Sequence, residues 1–296
     1  KSDGTVWAWG HNDDGHLGDG TYTNRNSPVQ VTDISDAIAV AGGDSHSLAL
    51  KSDGTVWAWG GNGYGELGNG TYDESTSPIQ VSDLSDAIAI AAGDHHSLAL
   101  KSDGTVWGWG ENAYGKLGDG TTTNRSTPVR VSSLSGVTAI AAGDQHSLAL
   151  KSDGTLWAWG NNEGGQLGDE TTTNRSSPVQ VSDLSDVTAI TAGYKHGLAI
   201  KSNGKVWAWG YNCAGQLGEG RSTDSSSPVH VNNLDGVTAI AAGDFHSLAM
   251  KSDGTVWSWG YNGDGELGNG NTTSKSTPVQ VINLNLSSNE TPTPTT

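Results

Sequence analysis

A single motif recurs along this chain at a constant interval of 50 residues, without insertion or deletion. The motif opens with Lys-Ser-Asp-Gly-Thr, and its lysine is taken as position 1 of each repeat. Two tryptophans follow at positions 7 and 9 of every repeat, which accounts for all 12 tryptophans in the sequence. Repeats of this length are typical of solenoids and propellers, whose units cover their apolar surfaces with their neighbours. The repeats begin at Lys1, Lys51, Lys101, Lys151, Lys201 and Lys251, with the variant Lys-Ser-Asn-Gly-Lys at Lys201.

Each repeat divides into four short β-strands separated by turns. Residues 37–43 and 46–50 are short apolar or alternating stretches, and residues 51–54 carry the Asp-Gly signal of a hairpin. Residues 55–60 alternate again, and residues 77–81 contain a proline that an edge strand tolerates. The sequence therefore predicts an all-β protein, a β-propeller whose blades each have about four antiparallel strands.

The repeat boundaries define the predicted domains. A propeller domain is predicted over residues 1–286, and the Ser/Thr/Pro-rich residues 287–296 are predicted to be a linker or tail. Counting units from residue 37, five complete units reach residue 286, and the first 36 residues form a sixth unit that lacks its first two strands. Two architectures remain open: a six-bladed ring with one defective blade, or an incomplete arc of a seven-bladed ring. An arc exposes an apolar blade surface, and self-association is then expected.

The composition removes several classes of protein. Glycine provides 43 of the 296 residues and apolar residues only 33%, which fits a β protein rich in turns. The one cysteine, Cys213, excludes an intramolecular disulfide framework and a thiolate metal cluster. No apolar run reaches the length of about 18 residues that a membrane span needs. A net charge of −17 repels phosphate backbones and anionic lipids, so we expect no nucleic-acid partner and no membrane insertion, whereas a basic protein surface is compatible.

The best-preserved stretch of the repeat resembles a known family. Residues 141–155 read Ala-Ala-Gly-Asp-Gln-His-Ser-Leu-Ala-Leu-Lys-Ser-Asp-Gly-Thr, and residues 156–168 continue as Leu-Trp-Ala-Trp-Gly-Asn-Asn-Glu-Gly-Gly-Gln-Leu-Gly. This pattern resembles the RCC1 repeat family, the regulator of chromosome condensation propellers, and it recurs over residues 1–286. The resemblance implies an RCC1-like β-propeller of the bacterial type, and complete members of the family have seven blades of about 50 residues.

The functions known in that family are diverse. They include a eukaryotic exchange factor for the small GTPase Ran that also docks on chromatin, and secreted bacterial proteins that inhibit β-lactamases by a propeller face. Here every repeat has 50 residues, which leaves no room for the exchange factor's β-wedge, and residues 287–296 contain no basic residue. The resemblance therefore implies the fold more strongly than any one function.

No set of residues predicts catalysis. A histidine recurs at position 46 and a serine usually follows it, but neighbouring residues on a strand point to opposite faces, which opposes a nucleophile pair. The glycine-rich loops lack the ending of a phosphate loop, and the Asp/Asn-Gly runs lack the EF-hand spacing. We therefore predict no catalytic, cofactor-binding or metal-binding residue, and no cofactor. A structural role is expected for His46, His96, His146, His196 and His246.

The repeats differ from one another mainly at positions 11, 14, 16 and 45. Antiparallel strands place the turn at positions 44–45 and the loop after the third strand at the same end of each unit, opposite the Lys-Ser-Asp-Gly turns. We call this end the variable end and the opposite one the lysine end; in a propeller, the variable ends form one face. Tyrosine is enriched at protein interfaces. The candidate partner-binding residues there are Asp44, Asp94, Asp144, Asp244, Tyr64, Tyr114, Tyr194, Tyr211, Tyr261 and Phe245.

Together these features predict a non-enzymatic protein-binding scaffold whose partner has a basic surface. Two alternatives remain: a guanine-nucleotide exchange factor for a small GTPase, and a glycan-binding lectin that uses the tandem tryptophans as stacking platforms. For the tryptophans, packing between neighbouring blades and burial of most of the 12 rings are expected. A Thr-Pro tail after an acidic propeller is typical of an extracellular or surface-anchored bacterial protein, and a cytoplasmic location stays open.

Overall fold

The chain folds into a series of antiparallel β-sheets. The computed structural model describes residues 1–286, so the predicted linker or tail at 287–296 lies outside the described residues. Within the described part, the one helical element is the short 3-10 turn Ala113–Gly115, and no helix there has the length and apolarity to cross a membrane. Six sheets follow one another along the chain, the first with two strands and each of the other five with four. The predicted all-β class and the four-stranded unit are confirmed.

The first three sheets contain the first ten strands, paired in chain order. Sheet 1 contains β1 (Trp7–Gly10) and β2 (Arg25–Gln30). Sheet 2 contains β3 (Ala37–Gly42), β4 (His46–Lys51), β5 (Val56–Gly60) and β6 (Ser75–Gln80). Sheet 3 contains β7 (Ala87–Ala92), β8 (His96–Lys101), β9 (Val106–Gly110) and β10 (Arg125–Arg130).

The remaining three sheets repeat this arrangement. Sheet 4 contains β11 (Val137–Ala142), β12 (His146–Lys151), β13 (Leu156–Gly160) and β14 (Arg175–Gln180). Sheet 5 contains β15 (Val187–Ala192), β16 (His196–Lys201), β17 (Val206–Gly210) and β18 (Ser225–His230). Sheet 6 contains β19 (Val237–Ala242), β20 (His246–Lys251), β21 (Thr255–Gly260) and β22 (Lys275–Asn285).

The sheets belong to two compact units. The first unit comprises Lys1–Glu163 and Thr173–Gln180 and holds sheets 1 to 4. The second comprises Gly164–Thr172 and the described residues from Val181 to 286, and holds sheets 5 and 6.

The turn at the lysine end is held by its own side chains. In sheet 2, the Asp53 carboxylate accepts hydrogen bonds from the backbone N–H of Thr55 at 3.0 Å and from its hydroxyl at 2.6 Å. Gly54 adopts φ 78°, a conformation that glycine enters without a steric cost. The same contacts recur at Asp103, Asp153 and Asp253, so the near-constant Lys-Ser-Asp-Gly-Thr sequence is explained by turn chemistry.

Apolar cores lie between neighbouring sheets within each unit. Leu48, Leu50 and Val56 of sheet 2 pack with Ala99 and Trp109 of sheet 3, and all five are fully buried. Equivalent cores join sheets 1 and 2, 3 and 4, and 5 and 6. Each sheet therefore depends on its neighbour for burial, as expected of a repeat architecture.

The two tryptophans of each repeat have different environments: the expected burial is complete at position 9 of repeats 2 to 6 and only partial at position 7. The rings at position 9 of repeats 2 to 6 are at most 2% exposed, whereas all six at position 7 are half-buried. Trp57, for example, donates its Nε1–H to Thr55 Oγ1 at 3.2 Å, and the Lys51 ammonium lies 5.6 Å from its ring centroid. Trp9, in sheet 1, is 61% exposed.

Candidate functional site

The strand register brings the variable positions of each sheet to one end. In sheet 2, Gly42 pairs with Ser47, and His46 with Gly60, so the turn at 44–45 and the loop after β5 emerge together. A backbone hydrogen bond of 2.8 Å from Gly61 N–H to the Ser45 carbonyl joins positions 11 and 45 directly. The corresponding bonds in sheets 3 to 6 run from Glu111 to His95, Asn161 to Gln145, Tyr211 to Lys195, and Tyr261 to Phe245.

The loop at the variable end is built around a buried asparagine at position 12. The Asn62 side-chain oxygen accepts a hydrogen bond from Leu67 N–H at 2.9 Å, and its amide donates to the Asp73 carbonyl at 2.8 Å. Asn12, Asn112, Asn212 and Asn262 make the same two kinds of bond. The loop is therefore a fixed platform on which the side chains at positions 11, 14 and 16 change.

The same loop is attached to the following sheet through a main-chain atom. The carbonyl oxygen of Glu66 accepts two hydrogen bonds from sheet 3, one from Trp109 Nε1 at 2.7 Å and one from Ser97 Oγ at 3.0 Å. The carbonyls of His16, Lys116 and Gln216 accept the equivalent pairs from sheets 2, 4 and 6. The attachment uses the backbone of position 16, which leaves its side chain free to differ between repeats.

A charged cluster forms at the variable ends of sheets 2 and 3, comprising Asp44, Tyr64, Glu66, Asp94 and His95. The His95 imidazole lies between two carboxylates, with Nδ1 3.5 Å from Glu66 Oε1 and Nε2 3.6 Å from Asp94 Oδ2. The Tyr64 ring lies against it, with the centroids 5.1 Å apart. The pKa of His95 is raised, mainly by its close contact with the Glu66 carboxylate, which outweighs the opposing effect of burial.

Three members of the charged cluster, Asp44, Asp94 and His95, are placed closely enough to be considered as metal ligands. Ligand atoms of Asp44, Asp94 and His95 lie within 4.8 Å of one another. Both ring nitrogens of His95 face carboxylates, however, and this arrangement stabilises a protonated imidazole, which is not a metal ligand. Sequence reasoning placed Asp44, Tyr64 and Asp94 among the site residues but missed Glu66 and His95, although both stand at variable positions, 16 and 45.

A buried ion pair lies in the next loop at the variable end of sheet 3. The Lys116 side chain is fully buried, and its ammonium contacts the Glu111 carboxylate directly. A buried ammonium needs such a partner because desolvation is costly. Sequence reasoning did not predict this burial, since a lysine in a glycine-rich loop is usually solvated.

An aromatic cluster forms in the second unit from Tyr194, Tyr211 and Phe245. The Phe245 ring of sheet 6 lies with its centroid 5.2 Å from Tyr194 and 6.3 Å from Tyr211, both of sheet 5. All three rings are partly exposed. The Lys195 ammonium lies 5.2 Å from the Tyr194 centroid, and a hydrogen bond with Cys213 raises the pKa of the Tyr211 phenol.

The other predicted site residues are distributed differently. Tyr114, in the 3-10 turn, and Tyr261 are 38% and 41% exposed, and neither ring contacts another aromatic ring within residues 1–286. Asp244 is exposed and Asp144 is buried. The structure thus joins Asp44, Asp94 and Tyr64 in one cluster and Tyr194, Tyr211 and Phe245 in another.

The recurring histidines connect neighbouring sheets. His46 Nε2 lies 2.9 Å from Ser97 Oγ, and both side chains are buried. The same contact joins His96 to Ser147 and His196 to Ser247. Burial lowers the pKa of His46 to about 4. The buried Ser–His pair therefore links neighbouring sheets, as the structural role expected for these histidines requires.

A match to a family model settles the relationship of the chain to known proteins. The model for the RCC1-like domain matches residues 1–291. The chain belongs to the RCC1-like domain family. The resemblance noted from the repeats is therefore confirmed, and sheets 2 to 6 correspond to four-stranded RCC1 propeller blades.

Solved structures of this family resemble the chain along most of its length. Human WBSCR16 is 29% identical, with a TM-score of 0.84 over 93% of this chain and 76% of that one. Yeast RCC1 (Prp20), in its complex with Kap60, is 25% identical, with a TM-score of 0.84 over 96% of this chain and 72% of that one. A second structure, of Prp20p from Saccharomyces cerevisiae, is 22% identical with a TM-score of 0.68 and shows the fold alone.

Proposed function

We propose that this RCC1-like protein is a non-enzymatic scaffold that binds a protein partner through its variable ends. The observation that carries the proposal is contact between variable residues of different sheets. Tyr64 and His95 meet at 5.1 Å in one cluster, and Tyr194 and Phe245 meet at 5.2 Å in the other. Side chains that differ between repeats and cluster on a constant framework are typical of a recognition surface.

The relatives support a protein as the class of partner. Yeast Prp20 is described in a complex with Kap60, and Prp20p is described with binding properties toward Gsp1p and histones. The net charge of −17 favours a partner with a basic surface, because opposite fields steer encounter and make association weaken with salt.

The proposal that the protein is not an enzyme rests on the hydrogen bonding and burial of the recurring histidines and serines. Ser97 donates its hydroxyl hydrogen to the Glu66 carbonyl, so its oxygen is not activated by His46. Both residues are buried away from any substrate.

Guanine-nucleotide exchange and glycan binding are the competing functions. A nucleotide-release assay with small GTPases detects the first, and a glycan array detects the second.

The test compares the two ends of the sheets. The tagged chain is immobilised, bound proteins are identified by mass spectrometry, and the Kd of the main partner is measured for single alanine variants. Tyr64→Ala and Tyr211→Ala should each weaken binding by roughly 30-fold, the effect of a hot spot of about 2 kcal/mol. Lys101→Ala and Lys151→Ala, at the lysine end, should leave the Kd unchanged. Loss of binding in the lysine variants alone would refute the proposal.

A further inference from the structure

The aromatic cluster concentrates three large rings at positions that are polar or small in most other repeats. Tyr194 occupies position 44, where Asp44, Asp94, Asp144 and Asp244 stand elsewhere. Tyr211 occupies position 11, which is His11, Gly61, Glu111 and Asn161 in the first four repeats. Phe245 occupies position 45, which is Ser45, His95, Gln145 and Lys195 in the others.

The fold does not require these rings. Sheets 3, 5 and 6 keep the same strand register and the same backbone bond between positions 45 and 11, although sheet 3 carries His95 and Glu111 there. The three rings are partly exposed and lie together, although the packing of the sheets does not need them. Such a group of exposed rings indicates an interaction surface.

The surroundings of the cluster favour a cation. The Lys195 ammonium already lies over the Tyr194 ring at 5.2 Å, which shows that this ring face accommodates a positive charge. Asp244, next to Phe245, is exposed, and the Asp224 carboxylate is close enough to act electrostatically on the Tyr211 phenol. The Lys195 side chain is flexible, so its ammonium can give way to a competing cation at this ring.

We propose that the aromatic cluster is the anchor of the partner-binding surface and receives an arginine side chain of the partner. The inference rests on the proposed function and names the chemistry of its main contact. Arginine is favoured over lysine because the planar guanidinium stacks on aromatic faces and is more weakly hydrated than an ammonium. Arginine, tyrosine and tryptophan are also the residues that dominate binding hot spots.

The test uses a random 12-residue peptide library displayed on phage and selected against the full chain. Counter-selection uses the double variant Tyr211→Asn/Phe245→Gln, which carries the residues found at the same positions in repeats 4 and 3, Asn161 and Gln145. Because the chain already folds with those residues there, the variant keeps the framework intact. The surviving peptides should be enriched in arginine.

A selected peptide is then synthesised with arginine, lysine or citrulline at the enriched position. Citrulline keeps the shape of arginine without its charge, and it should weaken binding by about tenfold, with lysine in between. The control Ser202→Ala changes an exposed residue at the lysine end of sheet 5, and it should bind like the wild type. Equal binding of the arginine and citrulline peptides overturns the inference, as does enrichment without arginine or binding of neutral glycans by the cluster.

Failure of this inference is separable from failure of the proposed function. If the main protein partner binds at the variable ends but is insensitive to Tyr211→Asn/Phe245→Gln, the scaffold function stands and the arginine anchor is wrong. If binding is lost only in the lysine-end variants, the proposed function itself is wrong.

Discussion

The imidazole of His46 and the hydroxyl of Ser97, 51 residues apart in the chain, share a buried hydrogen bond of 2.9 Å. The Ser97 hydroxyl has one hydrogen, and it points to the Glu66 carbonyl at 3.0 Å. His46 must therefore donate from Nε2, which makes Nδ1 the unprotonated nitrogen, and Nδ1 is buried without a hydrogen-bond partner within residues 1–286. Protonation of Nδ1 would place an N–H in the core with no acceptor.

Acid should destabilise the protein through these histidines. Burial lowers the pKa of His46 and of His146 from 6.5 to about 4. Between those values the unfolded chain binds more protons than the folded one, so stability falls as the pH drops from 6.5 toward 4. The loss is on the order of 3 kcal/mol for each histidine, measured as the free energy of urea unfolding at several pH values. The net charge also shrinks as the pH approaches the pI of 4.6, and this changes the stability by itself. The fall in the free energy of unfolding with pH must therefore be compared with that of His46→Gln, for which it should be smaller. If the two proteins lose stability equally on acidification, the lowered pKa of His46 is wrong.

His95 should show the opposite pH dependence. Its pKa is raised by Glu66, so its stabilising contribution is complete below the unfolded pKa of 6.5 and is lost as the pH rises through the folded value. His95→Gln, which introduces the residue found at Gln145, should therefore cost stability at pH 6 and little at pH 9. Thermal unfolding of both proteins at the two pH values measures this difference. An equal cost at both would show that the imidazole is not ion-paired.

Removal of the Ser97 hydroxyl should leave the His46 Nε2–H without an acceptor. The Glu66 carbonyl keeps its bond from Trp109, so Ser97→Ala orphans one buried donor, and the expected cost is about 1–3 kcal/mol in urea unfolding. Ser102→Ala changes an exposed serine of the lysine end and should stay within about 0.5 kcal/mol of the wild type. Equal effects of the two variants would argue against the bond.

The Lys116–Glu111 pair should behave as a buried unit. Glu111→Ala leaves the buried ammonium uncompensated, and a loss of about 3–5 kcal/mol in the free energy of unfolding is expected. The double variant Glu111→Asn/Lys116→Gln carries the residues of repeat 4, Asn161 and Gln166, and should recover most of that loss. If the double variant is as unstable as Glu111→Ala, the pair is not what holds this loop.

Iodide quenching should separate the tryptophans by environment. Trp9 is 61% exposed and Trp109 is fully buried, so Trp9→Phe should remove much of the iodide-accessible emission, while Trp109→Phe should leave it unchanged. Trp109→Phe also removes the bond to the Glu66 carbonyl and opens a gap in the core, and should cost about 3 kcal/mol. Uniform quenching of all the indoles would contradict the assigned packing.

The repeat pattern predicted the parts of the structure that depend on local sequence. Strand positions, the turn at 44–45 and the shared end of Tyr64 and Asp94 all follow from alternation and antiparallel direction. Contacts between sheets were not predicted, because a period of 50 residues does not state which side chains of adjacent repeats meet. The His46–Ser97 bond and the burial of Lys116 depend on that packing.

The attachment of each loop through the carbonyl of position 16 has a consequence for how such a chain can change. Glu66, Lys116 and Gln216 offer the same main-chain oxygen to Ser and Trp of the next sheet despite their different side chains. Junctions between repeats are therefore interchangeable. Whole repeats can be duplicated, deleted or exchanged as cassettes during evolution or in the laboratory. Each exchange changes the side chains at the variable end but keeps the hydrogen bonds that join neighbouring sheets.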